Sequence, residues 1–398
     1  MPHFHEPLLV SPLPPSLRKS SRVGATITLP QSMPLLSLSS LTPADKETLR
    51  NAVFNHGVVV IPNQQGIEPT LLPELAKIFD DTAQDIHSGG RKQVTDTKNI
   101  LAQNRGARIP RAPQVSVIGK GRFRGYEGLV GDLDLKHVDH TEFHDEPLTQ
   151  EEIDAGFTRP YRWHMDAPLY ENLPGRVTTL HSIRNPDLLP DQKIRFPDER
   201  IMDIPAGATA FFSGARAFEL LSPEEKEFAL NTTVQYAPRA YEWMRDCKAT
   251  ADGITIVRTG NEKPLDELPE WTWDKVQAFP MVWKNPSTNQ PHLQVLGCCV
   301  YKLTTTNPST GSKTTISNLD EVRGICHKLI RKVYSPENIY AHRWREGDLV
   351  VFHNWGVLHS ITGRLLGEKG DGEDGEDGER RLLWQCSMAS GTAPVGFR

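Results

Sequence analysis

Cysteine is scarce in this chain: five among 398 residues. The number is odd, no two form a C-x-x-C pair, and Cys298 and Cys299 are adjacent. That pattern argues against a disulfide framework or a zinc cage, and it suits a reducing compartment such as the cytoplasm. Long apolar runs are also missing. No stretch of about 18 apolar residues occurs, so no membrane-spanning helix is expected. The opening "MPHFHEPLLVSPLPPSLRKSS" lacks the charged-then-apolar order of a secretion signal. A strong charge of one sign is absent too. The 45 lysines and arginines nearly balance 50 aspartates and glutamates, for a formal net charge of −5, and no long basic stretch appears. Neither nucleic acid nor an anionic membrane surface is an expected partner.

What is present suits a globular protein with a sizeable core: 37% hydrophobic and 24% charged residues. Residues 1–40 are rich in Pro and Ser and read as a flexible N-terminal arm. Residues 41–398 read as a single domain. "LTPADKETLRNAVFNHG" (41–57) predicts a helix, with Thr42 as N-cap, Pro43 in the first turn, and Leu49, Val53 and Phe54 on one face. "VVVIPN" follows as a buried strand, and "PTLLPELAKIFDD" (69–81) as a second amphipathic helix. The polar, Gly-containing stretch 82–112 reads as a lid. From about residue 157 strand-like runs dominate, among them "RVTTLHSI", "ATAFFSG", "DLVVFHN", "GVLHSIT" and "RRLLWQCSM". Two helices interrupt them, over 222–230 with Ser222 as cap and over 319–334. The fold expected is mainly β with flanking helices, a sandwich or jelly roll. "GDGEDGEDGE" (370–379) has no apolar residue and reads as a disordered acidic loop between two strands.

The chemistry-bearing stretch is "YRWHMDAPLY" (161–170). In extended chain, residues two apart project to one face, so His164 and Asp166 would point the same way. Alone, H-x-D is a weak signal in a chain with 14 histidines, and an isolated pair is more often an ordinary surface pair. Two histidines and one carboxylate with open positions form the site of non-haem Fe(II) oxygenases. Such a site needs one further histidine. His353 and His359, in "DLVVFHNWGVLHSITG", are both candidates, and periodicity does not choose between them. "ERRLLWQCSM" then opens a strand with Arg380 and Arg381. A buried arginine there would suit bidentate pairing with a carboxylate, although by itself the pair reads as a surface cluster.

These blocks together resemble the Fe(II)- and 2-oxoglutarate-dependent dioxygenases of the taurine/2,4-D dioxygenase group. "WHMD" is similar to the family's W-H-x-D. "WREGDLVVFHNWGVLHS" is similar to its W-x-x-G-D-L-x-x-W-D-N-R-x-x-x-H, with Trp355 in place of the arginine. "GATAFFSGARAFELLSPEEK" is similar to its G-D-T-x-F segment. The resemblance implies a double-stranded β-helix (jelly roll) core. It implies Fe(II) on His164, Asp166 and His359, the last because the family's histidine falls five residues past Asn354. It implies 2-oxoglutarate bound by Thr209 and Arg381, with Arg380 as the alternative arginine, and O2 as oxidant. The gap from His359 to the arginine is longer than in the family, and the acidic run 370–379 accounts for the excess.

The strings "VDHTEFHDEPLT", "TRPYRWHMDAPLYE", "NTTVQYAPRAYEWMRDCKAT", "LGCCVYKL" and "LLWQCSM" resemble the fungal xanthine dioxygenase subgroup. That likeness implies hydroxylation of xanthine to uric acid, with release of succinate and CO2, in purine catabolism. A planar purine calls for amide and cationic side chains. Gln114 and Gln385 are candidates, and Lys136 a third on the lid side. Gln385 would share a strand face with Arg381. The alternatives are the same chemistry on an alkyl sulfonate or aryloxy acid, which would want extra Arg or Lys in the pocket; a metal hydrolase, which would leave Thr209 and Arg381 without purpose; and a non-catalytic metal-binding protein.

Overall fold

The computed structural model describes residues 6–86, 107–129, 131–135, 143–186, 189–257, 259–363, 365 and 380–398. Its backbone is a nine-stranded sheet. The spatial order is Leu9–Pro12, Ala25–Thr28, Val58–Ile61, Leu349–His353, Val177–Arg184, Arg381–Ser387, Ala112–Phe123 and Arg108–Ile109, with Leu133–Leu135 also paired to Ala112–Phe123. Every pairing is antiparallel except that between Ala25–Thr28 and Val58–Ile61. A three-stranded sheet, ordered Tyr340–His342, Thr209–Ser213 and Val357–Ile361, faces it and completes the jelly-roll core.

The central strand Leu349–His353 shows why its sequence is apolar without alternation: both of its faces are covered. Val350 and Phe352 point inward and pack with Phe211, Tyr340, Leu180 and Leu383 between the two sheets. Leu349 and Val351 point outward and pack with Leu49, Leu72 and Leu75 of two helices, Pro43–His56 and Leu71–Phe79. The first helix starts where expected. The Thr42 hydroxyl accepts from the Asp45 N–H, and the Asp45 carboxylate accepts from the Thr42 N–H at 2.9 Å. Its apolar residues face the large sheet, as the i, i+4, i+5 spacing of Leu49, Val53 and Phe54 requires. The second helix is shorter than the 69–81 expected, because Thr70 makes no cap hydrogen bond and Asp80 is already extended. Helix Pro223–Leu230 carries a Ser222–Glu225 capping box, and the expected 319–334 helix is Leu319–Ile330 followed by a tighter turn. A four-stranded sheet containing Thr232–Tyr236 and Val300–Thr306 packs with that last helix around a further core that includes Trp163 and Trp283.

One expectation is corrected. The Pro- and Ser-rich composition of residues 1–40 predicts a flexible arm, yet over residues 6–40 the chain is packed. Leu9–Pro12 and Ala25–Thr28 pair with each other and close one edge of the large sheet. Ala25 and Ile27 alternate into the core that the first helix covers, and both are 0% exposed. Sheet pairing and burial supply what local propensity does not. Of the expected lid, residues 87–106 lie outside the described residues, and its end joins the Arg108–Ile109 and Ala112–Phe123 strands. The acidic stretch 370–379 lies outside them too. No helix among the described residues is long and apolar enough to cross a membrane.

Shortening Ile27 to Ala should cost about 2–5 kcal/mol, as for other buried aliphatic truncations. A urea titration reads this as a lower midpoint; an unchanged midpoint would return the segment to a loose arm.

Candidate metal centre

His359 lies in the Val357–Ile361 strand, opposite Phe211 of the neighbouring strand. His164 is brought to it by an isolated antiparallel bridge: each backbone N–H donates to the other's carbonyl at 2.9 Å. Asp166 follows two residues later and is held by Asn354. The Asn354 Oδ1 accepts from the Asp166 N–H at 2.8 Å, while its Nδ2 donates to the Asp166 carbonyl at 2.8 Å and to the Gly175 carbonyl at 2.9 Å. Asn354 is fully buried, so these bonds are not exchanged with water.

The three side chains converge. Asp166 Oδ1 lies 4.0 Å from His164 Nε2 and 3.7 Å from His359 Nε2, and the two ring centroids are 4.1 Å apart. These separations are too long for hydrogen bonds and short enough for the three atoms to meet one cation. Among the described residues this is the one group of three or more His, Cys, Asp or Glu side chains whose donor atoms lie so close, all within 4.8 Å of one another. The surroundings prepare each donor. His164 Nδ1 is 2.7 Å from the Arg162 carbonyl, which places the proton on Nδ1 and leaves the Nε2 lone pair toward the cluster. Burial, with His164 beside it, pushes the His359 pKa down to about 3, so its imidazole is neutral. The second carboxylate oxygen, Asp166 Oδ2, accepts from the Gln385 amide at 3.2 Å, which leaves Oδ1 facing the histidines. A soft thiolate is absent and imidazole and carboxylate are present, a donor set that suits Fe(II).

His353 does not join this group. Strand parity turns it to the outer face, where it packs edge-on against Phe54 with centroids 4.9 Å apart. Burial and the neighbouring His292 and Arg176 hold its pKa well below the usual value.

Arg381 opens the strand Arg381–Ser387 and points into the sandwich, 4% exposed. Its Nη1 donates to the Gly207 carbonyl at 2.7 Å, its Nε has no partner, and no carboxylate pairs with it among the described residues. Burial alone lowers its pKa to about 10. The guanidinium carbon sits 5.9 Å from the Trp344 ring centroid, and the Trp344 indole N–H donates to the Thr209 hydroxyl at 3.1 Å. Thr209 keeps its own O–H to donate. Gly207 is required here: its φ is +63°, and a Cβ would lie 2.5 Å from Arg381 Nη1. A buried cation without an anion among the described residues, sharing Trp344 as a neighbour with the Thr209 hydroxyl, fits a ligand carboxylate. Arg380 points elsewhere, with its guanidinium 5.5 Å from the Phe123 ring and its Nη1 on the Arg122 carbonyl.

A cavity of about 380 Å³ opens beside the three donors, lined by His164, Asp166, Gln114, Gln385, Tyr170 and Arg239 among others. Gln385 therefore looks into the site from the Arg381 face of its strand. Gln114 lines the same space, with its Nε2 donating to Asp85 at 2.7 Å. Lys136 lies outside the described residues. Asn354, Trp344, Tyr170 and Arg239 carried no assigned role in the sequence. The first two stand inside the "WREGDLVVFHNW" motif, and the last two inside "YRWHMDAPLY" and "NTTVQYAPRAYEWMRDCKAT", strings that do not show that the two residues meet.

A jelly roll with a facial His/Asp/His cluster beside an uncompensated buried arginine is the architecture of a metal-dependent oxygenase. The family model described as taurine catabolism dioxygenase TauD, TfdA family matches residues 10–386, and the chain belongs to that family. The chain is 42% identical to an alpha-ketoglutarate-dependent xanthine dioxygenase of Emericella nidulans, over 98% of this chain and 99% of that protein. An alpha-ketoglutarate-dependent xanthine dioxygenase of Schizosaccharomyces pombe is 36% identical, over 91% and 84%. Among solved structures, a taurine dioxygenase from Burkholderia xenovorans superposes with a TM-score of 0.53 at 15% identity, covering 98% and 92%. AAD-2 in complex with Mn(II) and N-oxalylglycine superposes at 0.54 and 13% identity, covering 98% and 99%. At these identities the two structures bear on the fold alone.

Replacing Asn354 by Ala should weaken Fe(II) or Mn(II) binding about 10- to 100-fold, the usual cost of removing a group that orients a ligand. Anaerobic titration of the metal-free protein measures it, and wild-type affinity would show that Asp166 positions itself without Asn354.

Proposed function

We propose that this protein is an Fe(II)- and 2-oxoglutarate-dependent dioxygenase that hydroxylates xanthine to uric acid, releasing succinate and CO2. The observation that carries it is near-full-length identity of 42% to a xanthine dioxygenase, in a chain that brings together the three donors and holds a buried arginine. His164, Asp166 and His359 are the residues that hold iron. When bound, iron with 2-oxoglutarate and O2 supplies the oxidant: 2-oxoglutarate loses CO2 and takes one oxygen atom, and the substrate C–H takes the other.

The remaining work belongs to the chain. Arg381 binds the distal carboxylate of 2-oxoglutarate, with Thr209 donating a second hydrogen bond; its burial supports it over Arg380, which lies against Phe123. Gln385 orients Asp166 with one amide hydrogen and has its carbonyl and second N–H free for substrate, among the described partners. Gln114 offers its carbonyl oxygen from the adjacent strand. Lys136 remains a substrate-side candidate on the sequence alone. Apolar walls around the cluster, including Phe211 and Phe352 against His359, exclude water from the reacting centre. Five free, buried cysteines support a reducing, cytoplasmic setting. One observation favours a second reading: Arg239 lines the cavity and would also suit an alkyl sulfonate or aryloxy acid.

The test is anaerobic loading with Fe(II) and 2-oxoglutarate, then O2 and a panel of purines, sulfonates and aryloxy acids. Succinate release coupled to urate absorbance is expected with xanthine. Coupling to sulfonates alone would sink the xanthine assignment and keep the chemistry; no metal dependence would sink both. Arg381→Gln should raise the 2-oxoglutarate KM by roughly 10- to 100-fold, the cost of a charge-assisted hydrogen bond.

A further inference from the structure

The wall of the cavity that Gln114 and Gln385 line also holds a guanidinium stacked on a ring. The Arg239 guanidinium carbon lies 4.1 Å from the Tyr170 ring centroid, the closest cation–ring pair among the described residues. Both residues line the space that contains His164 and Asp166. Their positions are fixed from behind by one segment. Arg239 Nε and Nη2 donate to the Glu270 carbonyl at 3.2 and 2.7 Å, and the Thr272 N–H donates to the Tyr170 hydroxyl at 3.0 Å. The Glu171 N–H donates to the Lys275 carbonyl at 2.7 Å, and Lys275 pairs with the Glu171 carboxylate at 3.2 Å.

The backbone is strained at this place. Leu169 (φ 56°), Glu171 (φ 66°) and Arg239 (φ 46°) are three of the nine non-glycine residues with positive φ among the described residues. They flank Tyr170 on both sides and include the arginine itself. Left-handed backbone at bulky residues persists only where surrounding contacts over-determine it, and it concentrates at binding sites. A stack that needed only to pack could form from relaxed backbone. The arginine also has capacity left over. No carboxylate pairs with it, and its Nη1 makes no hydrogen bond among the described residues. An arginine held flat by its other two nitrogens has lost its rotamer freedom before any ligand arrives, which lowers the cost of binding.

We propose that Arg239, held against Tyr170, is a specificity-determining residue that binds the acidic imide edge of the substrate, the O=C–N–C=O face of an oxopurine. The inference rests on the oxopurine reading above and adds the group that recognises it. Nη1 donates to a ring carbonyl, the fixed positive charge favours the ionised or hydrogen-bonded imide, and the Tyr170 stack keeps the guanidinium plane in place. Gln385 and Gln114, which line the same cavity, are left to address the rest of the ring. Of the two arginines that line the cavity, Arg108 donates to the Pro113 and Gln114 carbonyls, and Arg239 is the one stacked on a ring.

The test is steady-state kinetics of Arg239→Gln and Arg239→Lys with xanthine, in the iron-loaded full-length protein. For Arg239→Gln the xanthine KM is expected to rise roughly 10- to 100-fold, as for loss of a charged hydrogen bond. The kcat should fall by less, and the KM for 2-oxoglutarate should stay where it was. Arg239→Lys should recover part of the affinity by restoring charge without the fork. If both variants bind xanthine as wild type does, the inference is overturned while the oxopurine reading stands. If they lose xanthine and 2-oxoglutarate affinity together, with a lowered melting temperature, Arg239 only holds the loop at Glu270 and the inference is again overturned. If wild type turns over no oxopurine, both fall together.

Discussion

Two backbone hydrogen bonds hold His164 against His359, each 2.9 Å long, and the rest of the site is arranged around them. The bridge joins a segment outside the main strands to one strand of the small sheet. With the backbones locked side by side, both imidazoles emerge on one side. The two-residue period of extended chain then brings Asp166 to the same side. Asn354 completes the arrangement from the adjacent turn, because one amide group contacts both backbone atoms of residue 166. The donor geometry thus comes mainly from backbone pairing and a buried amide, which are stiff, and little of it depends on side-chain torsions.

The second constraint is electrostatic. Arg381 is taken out of water with no carboxylate to neutralise it among the described residues, and burial lowers its pKa accordingly. An uncompensated buried guanidinium costs stability. The structure limits that cost with the Gly207 carbonyl and the Trp344 ring, and it stations the Thr209 hydroxyl nearby. Such a site is poorly satisfied when empty and well satisfied by an anion. Stability is given up where binding gains it. The strained backbone around Tyr170 and Arg239 follows the same logic with torsion in place of charge.

Much of this was legible in the chain itself. Capping boxes at Thr42 and Ser222 are local, so the helix starts follow from three or four residues. The alternation of Arg381, Leu383 and Gln385 is local as well, and it survives the register shift between Leu382 and Leu383. The first 40 residues misled because their pairing partners are distant: Ala25–Thr28 finds its neighbour in Val58–Ile61, and its burial depends on helices that composition does not reveal.

The sequence by itself determined the donor types, their spacing, and the motif register that singled out His359. The first two depend on covalent order and a strand's fixed period; the register comes from likeness to the family's motif. Only the tertiary structure decided which way each ambiguous side chain turns. His353 and His359 lie on different sheets and face opposite sides, and Arg380, just before the strand that Arg381 opens, turns to Phe123 while Arg381 turns inward. It also brought Tyr170 and Arg239 together. They come from different segments with no shared motif, and their contact exists because the 270–275 segment holds both.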